Sequence, residues 1–458
     1  MATKRLSKYD AIFYYTDNRR VAMQASVGIL VDGPINVDRY LKWVSPRVDR
    51  MPVLSMTLKP SPLGLRLPAW TPVADFNVSS LIRDHTLPSP GNEDQLRSLF
   101  SELNHERFPL GKPLWRLHII NGLEHNRSAL LLCWHHCMAD AEGALEMFSV
   151  MLETTAIGDT PTRRVSRAGL TRETHRRRPL HGVRAMLSPL GRRRLGILGR
   201  YARLRTPKFP FTRPACGRMN TAWRHFPRED LRAISAAFET TATDVVLAAL
   251  GAAMDSYAVK QDIEVTGTNL LLQVPANVRL PDKYGDLGNE LTMLPGVVPL
   301  GIDDPVERLR RVAEYNRELK ELDMATVIHG MMGAAFGLAT PPGQALLCKM
   351  MVSKPFLHVA RITGAPPQEH ALMSSVMMPP IQYSVDGQPV TAFVNLIACQ
   401  FNMGFVCSPV TYGGEVTFTL SVDADNMGDA DDIMDGVMAA IKELRGLAEN
   451  HAVAPSGS

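Results

Sequence analysis

The stretch from Ser128 to Leu152 constrains the fold more than any other, because it joins an apolar run to a polar corner and then to an amphipathic segment. Ser128-Ala129-Leu130-Leu131-Leu132-Cys133-Trp134 reads as a short buried strand, and Ala141 to Leu152 has the apolar spacing of a helix packing one face inward. His135-His136-Cys137-Met138-Ala139-Asp140 lies between them, with an imidazole and a carboxylate four residues apart. Such a corner can present one ring to a cavity while Asp140 turns inward to hold the local structure. Taken alone, the pair reads as readily as two satisfied core histidines.

The chain has 458 residues, 45% of them apolar and 21% charged, which suits a globular protein too long for one core. Its six Cys are dispersed with no CxxC pair, predicting reduced thiols and a cytoplasmic setting. Cys133, His135 and Cys137 alternate as metal ligands might on a strand, yet no fourth ligand has suitable spacing, so no metal is expected. The start, Met1 to Leu6, lacks the apolar core of a signal peptide, and no uninterrupted apolar run of about 18 residues predicts a membrane span.

Charge is unevenly placed. Residues 163–213 carry 15 Arg, Lys208 and a single acid, Glu173, for a net +15 in a chain of net +4. With Pro179, Pro189, Pro207 and Pro210, residues 161–215 read as a basic linker or crossing segment between domains at 1–160 and 216–450. Leu190, Ile197, Leu198, Tyr201 and Leu204 form a rough apolar stripe interrupted by Arg194. The segment fits either a surface helix drawn to an anionic membrane or lipid droplet, or a solvated linker whose Arg side chains meet the acidic remainder. Scarce aromatic residues argue against nucleic acid.

Beyond it, Arg228–Ala237, Asp244–Tyr257, Pro305–Leu322 and Asp429–Leu447 read as helices, and Leu270–Val274 as a strand. Alternating apolar residues from Phe401 to Val422 around Tyr412-Gly413-Gly414 predict a β-hairpin.

The His motif has company: Pro113-Leu114-Trp115 upstream, then Thr243-Asp244, Pro275-Ala276-Asn277-Val278-Arg279 and Gly288-Asn289, with Leu6-Ser7-Lys8-Tyr9-Asp10-Ala11-Ile12-Phe13 at the start. In order and spacing, from about residue 5 to 448, these resemble the bacterial wax ester synthase/diacylglycerol acyltransferase family, whose central motif is HHxxxDG. The resemblance implies an α/β protein of two CoA-dependent-acyltransferase-like domains, with mixed sheets and a tunnel between them. Three positions depart from the family pattern: Ala141 replaces the motif's Gly, Thr243-Asp244 stands for Asn-Asp, and Thr363-Gly364-Ala365-Pro366-Pro367 rewrites an Asn-Val-Pro-Gly-Pro element.

On this resemblance the expected reaction joins an acyl group from acyl-CoA to a hydroxyl acceptor, forming a wax ester or triacylglycerol with no bound cofactor. His136 is the expected general base, with His135 supporting the loop and catalytic only as an alternative. The absence of a G-x-S-x-G elbow favours direct transfer over an acyl-enzyme. The resemblance suggests that Asp140 pairs with an Arg from the other domain. Arg279 is the candidate, although a residue following a strand can equally lie on the surface. Backbone N–H groups near Gly143 or Asn289 are candidates for holding the oxyanion. Pro113, Leu114, Trp115 and Asp244 are expected to support the motifs. Met331-Met332, Met350-Met351 and Met377-Met378 could line the tunnel or pack in the core, and a long acyl chain buried there contributes on the order of 10 kcal/mol. Two rivals stand beside this reading. One is the same fold acylating another alcohol or an amine from a CoA- or carrier-bound donor; the other is a non-catalytic lipid-binding protein.

Overall fold

The computed structural model describes residues 4–109, 111–156, 190–280, 287–363, 369–428 and 430–453. In chain order the first part runs α1 (Asp10–Thr16), β1 (Gln24–Val31), α2 (Val37–Val48), β2 (Met56–Lys59), β3 (Ala69–Pro72), β4 (Ile82–Thr86), α3 (Glu93–His105), β5 (Trp115–Leu123), β6 (Arg127–His135), α4 (Ala141–Met151) and β7 (Glu153–Ala156). Then come α5 (Gly191–Tyr201), β8 (Met219–Pro227), α6 (Arg228–Ala237), α7 (Ala242–Lys260), β9 (Asn269–Asn277), β10 (Leu291–Pro299) and α8 (Pro305–Glu321). The last part holds α9 (Met324–Leu338), α10 (Pro341–Met351), α11 (Lys354–Thr363), β11 (Ala371–Met373), β12 (Val376–Met377), β13 (Ile381–Val385), β14 (Gln388–Ile397), β15 (Phe405–Tyr412), β16 (Glu415–Asp423) and α12 (Ala430–Val453).

Two mixed sheets carry the fold. The first has the order β4-β5-β6-β1-β14-β13-β7 and the second β10-β9-β11-β15-β16-β8, with β12 also pairing to β15. β6 lies between β5 and β1, and each of its faces meets a core: Leu130, Leu132 and Trp134 enter one, and Ala129, Leu131 and Cys133 the other. Burial on both faces is why this strand reads as an unbroken apolar run instead of an alternation. α3 is held by an Asn92–Gln95 capping box and lays Phe100 against Gly28 of β1.

Sheet membership crosses the expected division of the chain at residues 161–215. β13 and β14, far along the second part, complete the first sheet, and β14 pairs antiparallel with β1 from Ala25↔Ile397 to Val31↔Val390. Asp386 and Gly387, with φ of 55° and 76°, turn this hairpin, and the Asp386 carboxylate takes hydrogen bonds from Arg39 of α2. β14 also packs against β15 and β16, so the two sheets meet along a strand that the second half lends to the first.

α7 starts two residues earlier than its apolar pattern suggests, because Thr241 caps it and forms a reciprocal box with Asp244. By length and a mean hydropathy of 1.3 it could cross a membrane, although no uninterrupted apolar run marks it in the sequence. Here it packs among α6, α8 and α12 in the core of the second sheet, which is why it is apolar all round. The basic segment is described only from residue 190 onward. There α5 buries Ile197 against Leu319, Leu322 and Met324, while Arg200 and Arg193 meet Glu318 and Glu321 of α8.

A Cβ on Gly28 would sit 2.5 Å from Cε2 of Phe100, a ring with 0% exposure and no room to retreat. Gly28→Ala is therefore expected to cost about 1–3 kcal/mol of stability through overpacking. The denaturation midpoint checks this, and an unchanged midpoint would show that the α3–β1 contact is looser than described.

Candidate active site

The His corner is fixed by backbone before any side chain acts. The His135 N–H donates to Leu114 O and the His136 N–H to Met23 O, both at 2.8 Å, so the Pro113-Leu114-Trp115 element holds the corner directly. Trp115 is fully buried and donates through Nε1 to Leu54 O at 2.7 Å, and Trp134 Nε1 donates to Ala139 O at 3.0 Å across the turn. Asp140 caps α4, accepting from the Gly143 N–H at 2.9 Å. Ala141 is the first residue of that helix, where φ is negative, so replacing Gly there strains nothing.

A strand end from the second sheet closes over this corner. Ala139 and Gly288 form a parallel bridge, with Gly288 N–H donating to Met138 O at 2.8 Å and Asp140 N–H to Gly288 O at 3.3 Å. Arg279 Nη2 lies 2.8 and 2.9 Å from the two carboxylate oxygens of Asp140 and 2.9 Å from Gly288 O. The two side chains are 1% and 5% exposed, which makes this a buried pair joining the sheets rather than a surface arginine. The Glu290 N–H adds a further bond to Asp140 Oδ2 at 2.9 Å. Asp140 is thereby engaged on every side by structure and does not reach the His136 ring.

His136 is held by another set. Its Nδ1 lies 2.9 Å from Asn289 Oδ1, and its ring stacks on Phe13 of α1 at 4.3 Å between centroids and 2° between planes. The orientation of the Asn289 amide follows from its other partners: Nδ2 faces two acceptors, Asp10 Oδ1 at 2.9 Å and His136 O at 2.8 Å. The nitrogen must point there, so Oδ1 faces the ring and requires the proton on Nδ1. Nε2 is left with its lone pair and has no partner among the described residues. Burial pushes the His136 pKa down, and the charges of Asp140 and Asp10 with the Asn289 bond oppose this only in part. The ring is neutral near pH 7.

Between Leu131 and Asp140 every residue is buried except His136, whose exposure is to a cavity between the sheets. Trp134, Phe148, Phe393 and Val410 give that cavity apolar walls, and Ser374 and Asn395 give it polar ones. Asn395 Nδ2 donates to Ser408 Oγ at 2.7 Å, and Ser408 in turn donates to Ser374 O at 2.7 Å. A second cavity shares Asp140, Leu145, Ser374 and Met378 with the first, and a third, reaching Thr241 and Thr243, shares Pro275, Ser375 and Met377 with the second. Together they trace a path from His136 to the amino end of α7.

Several expected residues stand elsewhere. His135 does not line the cavity; its Nδ1 accepts from the Cys137 N–H at 3.2 Å and burial holds its pKa down at about 3, so it stands as a neutral buttress of the corner. The Gly143 N–H is spent on Asp140, the backbone N–H of Asn289 on Asp10, and its side-chain amide on Asp10 and His136 O, so neither residue has a donor left for an oxyanion. Asp244 is structural, joining its capping box to Asn316 of α8 at 2.6 Å. Of the paired methionines, Met377 and Met378 line cavities, whereas Met331 and Met350 face outward. Thr363 ends α11, and the 364–367 part of the altered element lies outside the described residues. The roles of Asp10 and Phe13 were not read from sequence. Only their place in the Leu6–Phe13 element pointed to them, since Asp10 meets Asn289 across 279 positions.

Asp140→Asn would remove the carboxylate charge that the buried Arg279 guanidinium meets at 2.8 Å. The expected cost is about 3–5 kcal/mol, a large part of which Asp140→Asn with Arg279→Met recovers. Denaturant titration of both proteins checks this, and a single variant as stable as the parent would remove the pair from its structural role.

The comparisons with known proteins agree with this geometry. The wax ester synthase/diacylglycerol acyltransferase catalytic domain matches residues 6–246, and the C-terminal domain of the same family matches 287–445. A probable diacylglycerol O-acyltransferase of Mycobacterium tuberculosis is 25% identical over 328 residues, 67% of this chain and 69% of that protein. Among solved structures, the wax ester synthase/diacylglycerol acyltransferase from Marinobacter aquaeolei VT8 superposes with a TM-score of 0.66 at 18% identity, covering 97% of this chain and 100% of the other. The starter condensation domain of rhizomide synthetase, solved with C8-CoA and Leu-SNAC, does so with a TM-score of 0.60 at 12% identity, over 98% and 94% of the two chains. With both of the family's domains matched, over residues 6–246 and 287–445, the chain belongs to the wax ester synthase/diacylglycerol acyltransferase family.

Proposed function

We propose that this acyltransferase forms a neutral lipid ester by direct transfer of an acyl group from acyl-CoA to a hydroxyl acceptor, with His136 Nε2 as the general base. One observation carries the reading: Asn289 Oδ1 accepts from the Nδ1–H of His136, leaving a neutral Nε2 that has no partner among the described residues beside an apolar cavity. The acceptor hydroxyl gives its proton to Nε2 as its oxygen bonds to the thioester carbon. The carbonyl electron pair moves to oxygen and returns as the C–S bond breaks, and the imidazolium passes its proton to the departing sulfur. The products are the ester and free CoA thiol.

The imidazolium formed midway is stabilised by Asn289 Oδ1 and by the nearby charges of Asp140 and Asp10. With Gly143 and Asn289 otherwise engaged, the donor for the oxyanion in this reading is the Ser374 hydroxyl, which shares the cavity with His136. The apolar walls suit an aliphatic chain and exclude water that would divert the thioester to hydrolysis.

The test is thiol release from palmitoyl-CoA by the wild-type and His136→Ala proteins across long-chain alcohols, diacylglycerol and amines, with products identified by mass. Acceptor-dependent release that falls roughly 10²–10⁴-fold in the variant is expected. Equal release from both proteins, or an amide as the main product, would overturn the assignment. The burial of His136 sets the pH profile as well. Its folded pKa lies below the ordinary histidine value, so kcat/KM should be level near pH 7 and its acid limb should fall below that ordinary value. An acid limb above the ordinary histidine value would mean that another group titrates.

A further inference from the structure

Large apolar side chains exposed to solvent are concentrated on one part of the molecule. Among the described residues there are twelve, and eight of them lie in two stretches, 59–67 and 324–363. In the loop between β2 and β3, Leu63 and Leu65 are 90% and 64% exposed, and Leu63 holds a left-handed backbone with φ 54°. A bulky residue adopts that conformation only under local constraint, here with its side chain turned out to solvent. On the helices, Leu338, Leu346 and Ile362 are 80%, 71% and 71% exposed.

These stretches share a second property. Neither contains an Asp or a Glu, whereas they contain Lys59, Arg66, Lys349, Lys354 and Arg361, all exposed. Some surface arginines elsewhere meet acids, as Arg39 meets Asp386 and Arg224 meets Asp431. No salt bridge to any of these five cations occurs among the described residues.

The amino-terminal strand segment ties the two stretches together. Arg5 Nη1 donates to Leu67 O at 2.8 Å, and Lys8 Nζ donates to Gly337 O and Ala339 O on either side of Leu338. Gln344 of α10 donates to Lys8 O at 2.5 Å. Two residues later begins α1, which packs on α10 and carries Asp10 and Phe13 to Asn289 and His136.

We infer that this surface, the 59–67 loop with helices α9 to α11, docks onto an anionic phospholipid surface. Apolar side chains interleaved with unpaired cations match a headgroup layer, where the leucines enter the acyl boundary and the cations meet phosphates. Docking in this position sets the lipid one helix away from the general base. The inference rests on the neutral-lipid reading for its purpose alone, because the test below reads binding without turnover.

The experiment is co-sedimentation of the full chain with phosphatidylcholine vesicles, with and without phosphatidylglycerol. Three proteins are compared with wild type: Leu63→Ser/Leu65→Ser/Leu338→Ser/Leu346→Ser, Lys59→Glu/Arg66→Glu/Lys349→Glu, and Arg192→Ala/Arg193→Ala on α5. The wild type should bind vesicles containing phosphatidylglycerol and hardly bind phosphatidylcholine alone. The first two variants should lose binding by roughly tenfold or more, and the α5 variant should keep it. All substituted side chains are exposed, so melting temperatures and transfer between water-soluble short-chain substrates should stay at the wild-type level. A wild type indifferent to phosphatidylglycerol, undiminished binding by the first two variants, or a loss confined to the α5 variant would each overturn the proposal.

Discussion

The Asp140–Arg279 pair is the interaction on which the rest of the structure depends. It joins the strand-to-helix corner of the first sheet to the end of β9 in the second, at a position where neither charge reaches water. An isolated buried ion pair seldom stabilises a fold, because desolvation offsets the attraction. Here the carboxylate also accepts the Gly143 and Glu290 N–H groups, and the guanidinium also meets Gly288 O. With these additional bonds the pair fixes one relative placement of the sheets. That placement brings Asn289, next in sequence to Gly288, onto the His136 ring.

Neutrality of His136 then follows from two effects of opposite sign. Burial disfavours the imidazolium, while two carboxylates in the neighbourhood favour it, and burial prevails. A base poised in this way needs no large energy to lose its proton and gains stabilisation as it becomes charged in the transition state. Asp10 contributes at one remove. Burial pushes its carboxyl pKa up, bonds from Ser7 and Asn289 hold it down, and through Asn289 it decides which ring nitrogen is protonated. Asp10 is thus a positioning residue, acting on His136 through Asn289.

Much of the corner was legible in sequence because its signals are local. An unbroken apolar run marks a strand buried on both faces, and Asp140 before an amphipathic stretch marks a helix start. Local signals could not show which sheet a strand joins. Asp386-Gly387 is a strong signal for the β13–β14 hairpin, yet nothing in residues 381–397 tells that β14 takes β1 as its other partner rather than β15. Nor could they give α9 to α11, where Gly, Pro and Met dilute the helical period. The site shows the same division. His136, Asp140, Arg279 and Asn289 come together, but the consumption of the Gly143 and Asn289 donors is visible only once their partners are placed.

The central claim is that Asn289 fixes His136 as the Nδ1–H tautomer with a free Nε2. It is tested most directly by nitrogen-15 NMR of the ring nitrogens of histidine-labelled protein, with the His136→Gln variant identifying the signals. The account predicts a protonated Nδ1 and an unprotonated Nε2 near pH 7, with the second proton taken up below the ordinary histidine value. A protonated Nε2, or a doubly protonated ring near pH 7, would contradict it.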